Sequence, residues 1–330
     1  MDIRPAQSHS ISIVVPVYRG ETTLGSLAKE MLSLTEPFTT PDGHRAIVSE
    51  VLLVHDRGPD RSDRVIRELA SEYPWIRPIW LSRNFGQHAA TLAGMASTST
   101  DWIVTLDEDG QHDPMAIPRM LDVALSEQAS VVYAAPTNSP THGAVRNASS
   151  RLAKWAFVNV LSSEGQPGYH SYRLVLGEIG RSVAAYSGSG LYLDVGFGWV
   201  TSDFAYCPVV LRDDGHRDSG YRFRSLMSHF WRLVLTSGTR PLRIMSVIGA
   251  VFAVLGFTAA GAIVIGRMSG SIEVEGWASL ATVVLVGTGL ILFSLGIVAE
   301  YIGVASRMAL GKPPYLIVGD SADGPLGRLS

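Results

Sequence analysis

Trp102 to Gln111 reads WIVTLDEDGQ, an apolar run closed by an acidic turn, and the choice of fold rests on it. The run Trp102 to Leu106 has the length and composition of a buried strand. Just past it, Asp107, Asp109 and Gln111 set two carboxylates and an amide at alternate positions, where they can converge on one hard cation. Oxygen-only donors suit Mg2+ or Mn2+, which keep some waters and share the rest of their shell with substrate phosphates. One reading is therefore a metal-dependent site for a phosphorylated donor. The other is an acidic turn capping a helix that starts near Pro114, since Asp and Gly are ordinary loop residues.

On either side of this stretch the chain alternates. Further apolar runs lie at Ile11 to Val17, Glu50 to Val54, Ile76 to Leu81 and Ser130 to Ala134. Between them, Thr22 to Leu34, Arg61 to Glu72, Gln87 to Ala96 and Met115 to Leu125 carry the mixed faces of helices. This alternation predicts an α/β fold with a Rossmann-like, mainly parallel sheet covered on both faces. Parallel strands aim their carboxyl ends at one edge, where open sheets bind ligands. The polar residues just after the strands are Tyr18 with Glu21, Asp56, Arg83 with Asn84, and Asp107, Asp109 and Gln111. Each alone could cap a helix or form a turn, but their recurrence after successive strands favours a shared site.

The C-terminal part belongs to another solvent. Ile244 to Gly266 and Trp277 to Ala299 are nearly free of charge, and each exceeds the roughly 20 apolar residues needed to cross a bilayer. A hairpin buried in a soluble core would normally keep a polar face. Arg240 and Arg243 precede the first span and Arg307 and Lys312 follow the second, whereas the connecting loop sets Arg267 against Glu273 and Glu275. The positive-inside bias predicts a multi-pass protein of the plasma membrane with the catalytic region and both termini in the cytoplasm. Met1 to Ser10 is polar and gives no signal for export, and the single cysteine, Cys207, excludes an intramolecular disulfide framework. A net charge of -3 gives no reason to expect nucleic acid.

Before the first span, Tyr221 to Leu235 mixes Arg222, Arg224 and Arg232 with Leu226, Phe230 and Trp231, as an interfacial helix or a plain surface helix would. The expected division is a flexible N-terminus over 1–10, a catalytic domain over 11–217, an interfacial segment over 218–243, a two-helix hairpin over 244–304 and a cytoplasmic tail over 305–330. Gly256, Gly261 and Gly287 could let the hairpin pack in a homo-oligomer.

The same order of signals resembles a known family. PVYRGE at Pro16 to Glu21, VHDRGPD at Val54 to Asp60, SRNFGQHAATLAGM at Ser82 to Met95 and LDEDGQHDP at Leu106 to Pro114 resemble family 2 glycosyltransferases. With SYRL at Ser171 to Leu174, TRPLR at Thr239 to Arg243 and LGIVAEYIG at Leu295 to Gly303, the chain looks like a polyisoprenyl-phosphate glycosyltransferase. The resemblance implies a GT-A catalytic domain, a nucleotide-sugar donor, a divalent metal and a polyisoprenyl phosphate acceptor such as dolichyl or undecaprenyl phosphate. It implies that Pro16, Tyr18 and Asp56 face the nucleotide base and that Asp107, Asp109 and Gln111 serve the metal and the donor diphosphate. Arg83 joins the donor site, and Arg173 and Arg212, with Arg217 as an alternative, would bind phosphate.

Some positions depart from the family pattern. Its first-motif carboxylate commonly stands two residues after the tyrosine, where this chain has Gly20, and Glu21 is the candidate replacement. His55 stands where Asp or Asn is usual, and Ser171 where relatives often carry an Asp. A phosphate monoester is already anionic near neutral pH, so attack on the sugar's anomeric carbon with inversion tolerates the loss of that Asp. Transfer to another membrane acceptor, or nucleotide-sugar binding without catalysis, are the competing functions.

Overall fold

A computed structural model describes residues 8–138, 170–188, 193–212, 240–268, 276–310 and 312–324. They divide into two compact units, one built from the N-terminal region together with the residues after 312, the other containing the apolar hairpin.

In the first unit the elements run β1 (His9–Val17), α1 (Leu24–Met31), β2 (Phe38–Thr39), β3 (Arg45–His55), α2 (Ser62–Glu72), β4 (Ile76–Leu81), α3 (Gln87–Ala96), β5 (Trp102–Thr105), α4 (Ile117–Ser126), β6 (Val131–Pro136), β7 (Arg173–Leu176), α5 (Gly177–Tyr186), α6 (Leu193–Val200), β8 (Phe204–Val209) and β9 (Ile317–Val318). The strands form one sheet in the order β8-β6-β7-β5-β1-β3-β4-β9, with β2 paired to β3. β1 runs parallel to both β3 and β5, β3 to β4, and β6 to β8. This is the α/β, mainly parallel sheet expected of a GT-A domain.

β1 shows why its sequence is apolar at nearly every position. Ile13, Val15 and Val17 pack with Leu27 and Ile66 into one core layer, whereas Val14 joins Leu52, Val54 and Ala93 in the other. Burying each such side chain contributes about 1.5–3 kcal/mol, so a strand covered on both faces loses its polar alternation. Helix α3 lies so close to the sheet that a Cβ on Gly94 would sit 2.3 Å from Val14 Cγ1.

The structure adds strands that the apolar runs did not predict. β7 lies antiparallel between β5 and β6, so its first residues arrive at the edge where its parallel neighbours end. That reversal brings Ser171 and Arg173 beside the end of β5. β9 lies within the expected tail over 305–330, where Ile317 and Val318 pair antiparallel with Leu81 and Trp80 of β4. Arg67 holds the segment through both oxygens of Asp320, at 2.6 and 2.8 Å. Residues 1–7 and 218–239, which hold most of the expected flexible N-terminus and interfacial segment, lie outside the described residues, as does Arg217.

The second unit contains α7 (Arg240–Met268) and α8 (Trp277–Ala309). At about 1.5 Å per residue each exceeds the roughly 30 Å hydrocarbon core. None of the apolar window Ser246–Ile263 is buried in the fold, and 6% of Val286–Gly303 is. Phe257 is 81% exposed and Ile265 70%, surfaces that call for lipid rather than water. The chain is a membrane protein.

Candidate active site

The site lies at the sheet edge where β1, β3 and β5 end. Tyr18, 39% exposed, follows β1 on a loop held by its own backbone. Glu108 accepts the N–H of Tyr18 at 2.9 Å and that of Arg19 at 2.8 Å. Gly20 N–H donates to Ser62 Oγ at 2.8 Å, and Glu21 N–H to Asp60 Oδ2 at 3.1 Å. On the other side Gly58 admits this loop, since a Cβ there would fall 1.6 Å from the Tyr18 carbonyl oxygen. Pro16 is buried within β1.

Asp56, expected at the nucleotide base, is buried, and its carboxylate accepts the N–H of Phe85 at 2.7 Å and of Gly86 at 2.8 Å. Burial pushes its carboxyl up, while these two hydrogen bonds and Arg83 pull it down. Its duty in the fold is to fix the loop before α3, where Gly86 takes a φ of 91°. Arg83, on that loop, is exposed and lies 4.0 Å from the Phe85 ring.

The acidic motif follows β5. Asp107 Oδ1 accepts from Gln87 Nε2 at 2.5 Å and Oδ2 from Ser171 Oγ at 2.7 Å, so one side chain from α3 and one preceding β7 fix its carboxylate. Asp109 Oδ1 accepts the N–H of Gln111 at 3.1 Å, and Gly110 turns the chain with a φ of 79°. His112 is buried, stacks on Tyr172 at 4.9 Å, and accepts the Asp107 N–H on Nδ1 at 3.0 Å. Burial holds its imidazole below the ordinary range, so the ring is neutral with its proton on Nε2. Asp113 caps the turn at Pro114 through the Met115 N–H, so the capping role of this stretch falls on Asp113 and leaves Asp107 and Asp109 outside the cap.

Two arginines expected on phosphate have carboxylate partners instead. Arg173 is 3% exposed, paired with the equally buried Asp194 and bonded to Thr105 Oγ1 at 3.1 Å. Its parity on β7 aims it into the layer under α6, beside Phe197, and a buried charge stripped of its partner costs about 3–5 kcal/mol. Arg212 is exposed but binds Glu30 at 2.5 Å and Asp113 at 2.7 Å, and its N–H donates to Gln111 O at 3.0 Å. It ties the end of β8 to the acidic motif.

Asp107, Glu108 and Asp109 therefore gather carboxylate oxygen at the edge. Among the described residues no group of three His, Cys, Asp or Glu is arranged to hold a metal alone. Asp107, Asp109 and the Gln111 amide are oxygen donors of the kind Mg2+ takes when waters and substrate oxygens complete its shell. The sequence did not assign Glu108 and Gln87 their contacts here, nor Ser171 its bond to Asp107. Their common signal was a position beside a motif residue, and for Ser171 a departure from the family pattern.

Comparison with known proteins identifies the family. The model of Glycosyl transferase family 2 matches residues 12–180, and that of the GtrB C-terminal hairpin matches residues 240–305. The undecaprenyl-phosphate 4-deoxy-4-formamido-L-arabinose transferase of Pseudomonas fluorescens is 30% identical over 325 residues, which cover 96% of this chain and 91% of that protein. The protein of the same name from Klebsiella pneumoniae is 28% identical, covering 93% of this chain and 92% of its own. The M. tuberculosis glucosyl-3-phosphoglycerate synthase structure superposes with a TM-score of 0.49 at 18% identity, over 70% of this chain and 80% of that one. With the first model reaching from β1 into α5 and a 30% identical relative along almost the whole length, the chain belongs to glycosyl transferase family 2.

Proposed function

We propose that this protein is a membrane-bound inverting glycosyltransferase that moves a sugar from a nucleotide-sugar donor to a polyisoprenyl phosphate, giving a lipid-linked monosaccharide for the cell envelope. One observation carries the reading: the acidic motif is fixed beside the Tyr18 loop at one sheet edge, in a chain that also holds an apolar hairpin. The relatives named as undecaprenyl-phosphate sugar transferases support the same acceptor class.

Tyr18 and Pro16 flank the nucleotide base, and the Asp56-fixed loop with Arg83 closes the donor side. Asp107 and Asp109, with Gln111, would hold Mg2+ or Mn2+, which as a Lewis acid stabilises charge on the departing diphosphate. Gln87 and Ser171 keep the Asp107 carboxylate in place for that task. The acceptor phosphate oxygen attacks the anomeric carbon as the bond to the nucleoside diphosphate breaks. That oxygen is anionic before it arrives, so Ser171 in place of an acid costs the reaction no base. An isoprenyl tail extracted from the bilayer costs about 0.8 kcal/mol per CH2, which the hairpin avoids by keeping the enzyme at the lipid.

Enriched membranes incubated with labelled nucleotide sugars and polyprenyl phosphates should put label into the lipid phase, and a chelator should stop it. Asp109→Ala should abolish transfer while the protein still inserts in the membrane. Full, metal-independent transfer by that variant would overturn the mechanism.

A further inference from the structure

We infer that Glu108 is the positioning residue of the donor loop, supplying from the acidic motif the carboxylate that residue 20 lacks. The inference rests on the reading of the Tyr18 loop as the donor-binding loop. Glu108 stands between Asp107 and Asp109 in the turn after β5, and its side chain reaches the loop that follows β1. There its two oxygens take successive backbone amides, Tyr18 N–H at 2.9 Å and Arg19 N–H at 2.8 Å. A Cβ built on Gly20 would lie 2.8 Å from Glu108 Oε2, so the Glu108 carboxylate already fills the space in which a side chain at residue 20 would begin.

Glu21 does not serve instead. Its Oε2 accepts the Arg61 N–H at 3.1 Å, and its own N–H donates to Asp60. The four successive amides of residues 18–21 are thus all held by side chains, two by Glu108 of the acidic motif and two by Asp60 and Ser62 at the start of α2. Hydrogen bonds to a carboxylate are shorter and about twice as strong as neutral ones. Through them the loop that flanks the base is tied to the motif that serves the diphosphate, and the two ends of the donor meet one rigid body.

The test uses the full chain in lipid nanodiscs, comparing the natural protein with Glu108→Ala and Glu108→Gln. Amide hydrogen exchange should speed at Tyr18 and Arg19 in Glu108→Ala by about tenfold or more, with β3 and α3 unchanged. The donor KM should rise about tenfold while kcat changes by less than about threefold, and Glu108→Gln, which keeps one acceptor oxygen, should fall between. Unchanged exchange at both amides overturns the tie, and released amides with an unchanged donor KM, or a loss confined to kcat, overturn the positioning role. A natural protein that transfers from no donor sinks the transferase reading instead, and the exchange result still decides whether Glu108 holds the loop.

Discussion

His55 closes β3 with 5% of its surface exposed and its ring edge-on to Trp80 at 5.3 Å. Among the described residues its Nε2 has no hydrogen-bond partner. It borders a cavity of about 10 Å³ lined also by Arg57, Trp80, Leu81, Val318, Gly319 and Ser321, the room of about one water. Burial pushes the imidazole down from 6.5, Asp63 and Asp60 push it up, and Arg57 and Arg67 push it down again. The net direction is down, so the folded state favours the neutral ring. Stability from this group is complete above 6.5 and is lost as pH falls through 6.5 toward the folded value, because the unfolded chain then binds the proton first. Thermal unfolding followed from pH 8 to 5 should show this acid limb, and His55→Asn should flatten it. An acid limb of equal slope in the variant would assign the effect elsewhere.

Among the elements, β9 changes the description of the C-terminus most. It is short, yet Tyr315 before it packs in one core layer and Val318 in the other, Ser82 N–H donates to Leu316 O at 3.0 Å, and Arg67 clasps Asp320. Removing residues 312–330 would bare the edge of β4 and strip two partly buried apolar side chains, each contributing about 1 kcal/mol, along with an ion pair contributing up to about 1 kcal/mol. The catalytic unit should then unfold several degrees lower by calorimetry, and an unchanged transition would show that the strand is incidental. Such an element was not legible in the sequence: Ile317 and Val318 are too few to show a period, and only the partner strand makes them a strand. β7 and β8 escaped for a related reason, since β7 has only four residues and runs against its neighbours, outside the strand-helix rhythm, and β8 carries Pro208 within it. β1, β3, β4, β5 and β6 were legible because burial on both faces demands long apolar runs. The acidic motif was legible as a candidate site, but Arg173 was not legible as a core residue, because a charged residue type does not reveal that Asp194, 21 residues on, will pair with it.

At the scale of the whole molecule, connectivity constrains the membrane arrangement. The chain leaves the catalytic sheet after β8, passes through α7 and α8, and returns to pair β9 with β4 of that same sheet. Both flanks of the hairpin are therefore bound to one folded body, and a polar domain does not divide across a bilayer. Two crossings satisfy this and one does not. The side is a prediction from charge: Arg240, Arg243, Arg307 and Lys312 flank the helices, whereas the loop between them carries Glu273 and Glu275 against Arg267, so the positive-inside bias predicts a cytoplasmic sheet. The protein suits a cysteine-labelling test, since its one cysteine, Cys207, is fully buried and should stay silent to maleimides. Ser271→Cys, between the helices, should react with a membrane-impermeant maleimide on intact cells. Asp323→Cys, beyond β9, should react only after the cells are opened. Labelling of position 323 on intact cells would invert the orientation, and labelling of both positions from one side would mean that the hairpin does not cross the bilayer.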